Sequence, residues 1–104
     1  YRYVYAYQNV ECEPGKKYRI SCDMENDPTS LEVGIHAVYG NNSTENNVGI
    51  NIYSEGEQSI SFEYTALADS LIQQSSFKLE LRVYKRIGSY FCQGYFNNVE
   101  VKPK

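Results

Sequence analysis

The stretch from Gln8 to Cys22 constrains this chain more than any other: a strand-like run, the dipeptide Pro14-Gly15, then a second run with apolar residues at alternate positions. Pro14 presets φ for a turn, and Gly15 supplies the φ > 0 that a tight reversal needs. Beyond it Tyr18, Ile20, Cys22 and Met24 alternate with Lys17, Arg19, Ser21 and Asp23, which is the period of a half-buried strand. The spacing predicts a β-hairpin that fixes the register at one end of an all-β domain.

Seven strand-like segments are read along the chain, the first two of them in this stretch. Strands are expected at 2–10, 17–24, 31–39, 48–53, 58–65, 77–84 and 89–101, with inward alternation at Leu31, Val33, Ile35, Ala37 and at Leu79, Leu81, Val83. Clusters such as Asn26-Asp27-Pro28, Gly40-Asn41-Asn42-Ser43 and Ser54-Glu55-Gly56 separate them. Short alternating strands at this spacing predict an all-β, two-sheet antiparallel β-sandwich. Only 66–75 breaks the pattern, and it suits either a helical turn or a loop crossing between sheets. At 104 residues the chain is expected to be a single domain, 1–104. It opens on Tyr1 rather than Met, which suggests a module excised from a longer protein.

Composition narrows the function. Eleven tyrosines and four phenylalanines occur without a tryptophan, and tyrosine suits half-buried strands and adhesive surfaces alike. A net charge of −3 argues against nucleic acid as a partner. No apolar run approaches the ~20 residues of a membrane span. Cys12, Cys22 and Cys92 contain no C-x-x-C unit, and His36 stands alone, so no metal site is expected. Buried apolar thiols are expected of all three, with Cys22 brought within reach of Cys92 if the second and last strands are neighbours. Glu11/Glu13 and Glu55/Glu57 flank turns without an apolar surround to raise a pKa, so no catalytic residues and no enzyme are expected. The acceptor patterns Asn41-Asn42-Ser43 and Asn42-Ser43-Thr44 read as chance in an Asn-rich loop.

Four pieces in order, Gln8 to Ser21, Ile60 to Thr65, Lys78 to Val83, and Tyr95-Phe96-Asn97-Asn98-Val99-Glu100-Val101, resemble the non-catalytic carbohydrate-binding modules of the galactose-binding-domain-like jelly-roll group, of the type appended to xylanases and cellulases. The resemblance implies a jelly roll in which the strands 2–10, 31–39, 48–53 and 77–84 share one sheet with an outer binding face. Two departures stand out. The family's opening strand, ahead of residue 1, is absent from this sequence. Asn97-Asn98 also stands where the family has Asp-Asp. Some members hold a structural calcium near these ends, but amides lack the charge that a hard cation wants; no cofactor is expected.

Period-two parity then names the outward residues. Leu79, Leu81 and Val83 inward place Glu80, Arg82 and Tyr84 outward; Ile50 and Ile52 inward place Asn51 and Tyr53 outward; Glu32 and His36 follow likewise. Val4, Ala6 and Val10 inward leave Tyr3, Tyr5 and Tyr7 in an outer row. A sugar ring offers an apolar C–H face to aromatic platforms and hydroxyls to planar polar groups. Stacking is therefore expected of Tyr5, Tyr53 and Tyr84, with Tyr7 beside them, and hydroxyl recognition of Arg82, Glu80, Asn51 and Gln8, with His36 nearby.

The expected function is that of a polysaccharide- or oligosaccharide-binding module, extracellular or at a cell surface, holding other domains of the same polypeptide near their glycan. The same tyrosines also serve structure alone, since cross-strand pairs contribute roughly 0.2–1 kcal/mol each. A structural or protein-interaction sandwich of a surface adhesin or phage tail fibre is the alternative. A rival sugar site is the loop edge of 26–30, 40–47 and 88–95, with Tyr39, Asn41, Tyr90 and Tyr95.

Overall fold

Each run of alternation becomes a strand. The computed structural model describes residues 3–40, 45–89 and 91–104 and contains β1 (Tyr3–Glu11), β2 (Lys17–Asn26), β3 (Ser30–Val38), β4 (Val48–Ile52), β5 (Gly56–Thr65), β6 (Ser76–Lys85) and β7 (Gly94–Pro103). They form two antiparallel sheets, β1-β6-β3-β4 and β5-β2-β7. The protein is thus a two-sheet β-sandwich. β2 buries Tyr18, Ile20, Cys22 and Met24 against Val33, Ile35 and Ala37 of β3, with Tyr64 of β5 and Phe77 of β6 at 4.8 Å between ring centroids.

The Pro-Gly segment does not make the expected hairpin. Among the described residues β1 pairs only with β6, whereas β2 pairs with β5 and β7. The turn instead arches between the two sheets. Gly15 has φ 79°, Lys16 N–H donates to Glu13 C=O at 3.1 Å, and Gly15 N–H donates to Ala66 C=O at 2.9 Å. Buried Cys12 and Ala66 fill the bend. A turn dipeptide reverses the chain equally well within a sheet or across the ~10 Å between sheets; which edges are already hydrogen-bonded decides.

The 66–75 segment is the crossing loop, not a helical turn. It carries the chain from β5 to β6, is pinned by a bridge between Ala68 and Gln73, and is tightened by Asp69, whose Oδ1 accepts from Leu71 N–H and Ile72 N–H at 2.8 and 2.7 Å. Its end is locked by buried Gln74. Its Nε2 donates to Tyr64 Oη and Ser76 C=O (2.7 and 3.0 Å), and its Oε1 accepts from Leu67 N–H and Asn46 Nδ2 (2.9 and 3.0 Å). Leu31 departs from its inward parity because the β3–β6 register shifts between Ser30 and Glu32, leaving it half-buried. The last strand begins later than expected, so Cys92 lies in the loop before it. All three cysteines are free, Cys12 and Cys22 buried and Cys92 half-buried; Cys22 and Cys92 do not pair. Burial pushes the Cys22 thiol up to about 11 and raises that of Cys12.

Candidate functional site

The sheet β1-β6-β3-β4 contains the four strands expected to share a face. Antiparallel registers stack the outer residues into cross-strand rows. Tyr3, Tyr84 and Glu32 form one row; Tyr5, Arg82, Gly34 and Asn51 the next; Tyr7, Glu80, His36 and Gly49 the third; and Asn9, Lys78 and Val38 the last. Eight of the nine sequence-designated residues fall on this face, with Tyr53 following β4 on the parity of Asn51.

The face is uneven for a simple reason. Along β1 stand three rings, with centroids 5.7 Å apart from Tyr3 to Tyr5 and 6.2 Å from Tyr5 to Tyr7. Tyr5 and Tyr7 are 51% and 52% exposed. Across β3 and β4, Gly34 and Gly49 supply a low floor on which Asn51 and His36 lie flat. A Cβ at Gly34 would sit 1.8 Å from Asn51 Oδ1, and one at Gly49 would sit 2.1 Å from His36 Nδ1. Tyr53, 67% exposed, rises beyond the end of β4. Its carbonyl is held by the Nδ2 of buried Asn26 at 3.1 Å, so the chain after β4 is anchored to β2.

Between the ring wall and this floor the polar groups are tied together. Arg82 Nε donates to Glu80 Oε1 at 2.8 Å, Nη2 reaches the same oxygen at 2.7 Å, and Nη1 donates to Tyr84 Oη at 3.2 Å. Burial works to lower the Arg82 pKa, but the bonds to Tyr84 and Glu80 outweigh it and carry it above the ordinary value. The guanidinium also lies 4.7 Å from the Tyr3 centroid, a cation–π contact. His36 Nε2–H donates to Asn51 Oδ1 at 2.7 Å, which leaves Nδ1 as an acceptor in the neutral ring. Burial holds the His36 pKa below the ordinary 6.5, against the opposing effect of the hydrogen bond it donates to Asn51. Such groups keep fixed orientations without a ligand and so lose little entropy on meeting one.

Three designated residues are placed differently from expectation: Gln8, Tyr84 and Glu80, the last on the outer row but buried against the Arg82 guanidinium. Gln8 pairs with Leu79 and shares the inward parity of β1, so its amide faces the sandwich side rather than the outer face. Tyr84 has the outward parity but is buried, covered by Tyr3 at 4.9 Å between centroids; it supports Arg82 instead of offering a stacking surface. Glu32 is likewise on the outer row yet buried. Sequence reasoning overlooked Gly34 and Gly49. Their signal was available: glycines at positions of outward parity on neighbouring strands.

The rival loop edge is not a single edge. Tyr39 C=O accepts from Asn46 N–H, and Asn46 Nδ2 donates to Thr65 C=O, beside Lys17 at the start of β2. Tyr95 pairs with Glu25 near the end of β2. Eight residues of extended strand, roughly 26 Å, separate the two groups. Asn41, Tyr90 and the acceptor patterns at 41–44 lie outside the described residues. Among the described residues no cluster of three His, Cys, Asp or Glu side chains is arranged to hold a metal ion, and no helix is long and apolar enough to cross a membrane.

The chain matches no protein-family profile and no curated protein. Its fold is similar to a solved structure described as "CBM4 structure and function", CBM denoting a carbohydrate-binding module. The TM-score is 0.59 and the identity 19%, over 96% of this chain and 61% of that one. The chain therefore spans less than two thirds of that structure's length.

Proposed function

We propose that this chain is a non-catalytic glycan-binding module that receives a polysaccharide or oligosaccharide on the outer face of the β1-β6-β3-β4 sheet. One observation carries the reading: a wall of exposed rings on β1 faces two pre-oriented planar polar pairs, Arg82–Glu80 and His36–Asn51, across a glycine floor. Tyr5, Tyr7 and Tyr53 stack against sugar C–H faces. Asn51, His36 and Arg82 exchange hydrogen bonds with hydroxyls, and buried Glu80 holds the Arg82 guanidinium in place. The similarity of fold to a structure described as a carbohydrate-binding module supports this. In this reading the module acts outside the cell or at its surface and keeps attached domains near their polysaccharide, within the jelly-roll group that the sequence resembles.

The test is a glycan array followed by calorimetry with Tyr5→Ala, Tyr53→Ala and Asn51→Ala, whose exposed or floor-lying side chains are removable without opening the core. Loss of binding in all three with unchanged melting supports the reading. Wild-type silence across plant, microbial and host glycans refutes it and favours a protein-interaction sandwich. That second reading draws on an apolar slot of about 230 Å³ lined by Ala6, Tyr7, Gln8, Leu79, Leu81 and Val99, and on Val4, which is also exposed on the inner side of β1.

A further inference from the structure

Beyond the Tyr7 row, the outer face continues into a cavity of about 330 Å³ lined by Asn9, Val38, Tyr39, Gly40, Ser76, Phe77 and Lys78. Its lining holds one cation and no carboxylate, in a chain whose net charge is −3. Lys78 is exposed, and its ammonium lies 4.8 Å from the centroid of the Tyr7 ring. The register also sets Glu11 opposite Ser76, one row further out and diagonal to Lys78. Lys78 leans the other way, over Tyr7 and toward the ring wall, and among the described residues none of the ion pairs includes it. Elsewhere on the face the Arg82 charge is answered by Glu80 at 2.7 Å. The Lys78 ammonium is thus the cation of this face that an incoming anion meets without displacing a carboxylate. Asn9, Ser76 and Tyr39, residues whose side chains carry neutral donors, line the same cavity.

We propose that this cavity is a subsite for a carboxylate borne by the bound glycan, so that the module prefers uronic-acid-containing chains. The inference rests on the glycan-binding reading above. A sugar that displaces the Lys78 ammonium from the Tyr7 ring leaves it to meet a carboxylate on a neighbouring residue of the same chain, where a charge-assisted hydrogen bond is stronger than a neutral one. Neutral residues fit the cavity without that bond.

The experiment measures affinity for neutral polysaccharides, for glucuronic-acid-bearing polysaccharides, and for the same acidic polymers after chemical reduction of their carboxyl groups. Wild type should bind the acidic form about tenfold tighter than its reduced counterpart. Raising salt toward 1 M, where charges are screened beyond about 3 Å, should erase most of that ratio. Lys78→Met should bring the two affinities together, and Lys78→Arg should preserve the preference. Equal affinity of wild type for acidic and reduced polymers overturns the subsite while glycan binding stands. A preference that survives in Lys78→Met overturns the role of Lys78. Binding to none of the polymers overturns both this inference and the reading beneath it.

Discussion

Gly34→Ala separates the architecture of the face from the stability of the fold. The new Cβ would lie 1.8 Å from Asn51 Oδ1, 2.9 Å from Asn51 Cγ and 3.0 Å from His36 Nε2. Asn51 has to swing off the floor, and the 2.7 Å bond from His36 breaks. A net hydrogen bond contributes about 0.5–1.5 kcal/mol. Gly34 is not in the left-handed region, so alanine fits its backbone and returns about 0.4–1 kcal/mol by restricting the unfolded chain. The two effects nearly cancel, and melting should move by no more than a few degrees. Glycan affinity should fall by about 1–3 kcal/mol, roughly 5- to 150-fold, because two planar groups lose their orientation together. Calorimetric titration and thermal melts of Gly34→Ala, Asn51→Ala and the double variant decide the matter. Removing the Asn51 side chain removes the clash, so Gly34→Ala should cost almost nothing more in that background. Fully additive losses in affinity would refute the mechanism.

Other consequences of the structure are equally measurable. Because His36 is held below 6.5 when folded, the unfolded chain binds the extra proton first as pH falls. That group's stability is complete above 6.5 and is lost as pH drops through its depressed folded value; melts between pH 7 and 5 should decline, and His36→Gln should flatten them. Glu80, only 9% of its side chain exposed beside Arg82, loses its guanidinium partner in Arg82→Ala, so urea unfolding should show a loss of about 3–5 kcal/mol, with Arg82→Met/Glu80→Met far milder. Gln74→Ala strips partners from Leu67 N–H and the Tyr64 hydroxyl, and the same assay should read about 3 kcal/mol or more. With thiols raised by burial, Cys12 and Cys22 should resist a thiol reagent at pH 8 until urea is added, while half-buried Cys92 reacts first; rapid labelling of all three in the native protein would contradict the packing.

Alternation by itself determined seven strands, the inward set of β2, most of those of β3 and β6, and the outward parity of Tyr5, Tyr7, Asn51, Glu80 and Arg82, because the period of a strand is a local, steric property of the backbone. Tertiary structure decided what parity leaves open. Pro14-Gly15 arches between sheets because hydrogen-bonding edges elsewhere are already taken, and Tyr84 is buried because Tyr3 packs over it across a strand boundary. Gly34 and Gly49 became a floor only when register set them beside Asn51 and His36. Which side chains meet depends on pairings between residues tens of positions apart, and those are fixed by the packing of the whole sandwich rather than by any stretch within it.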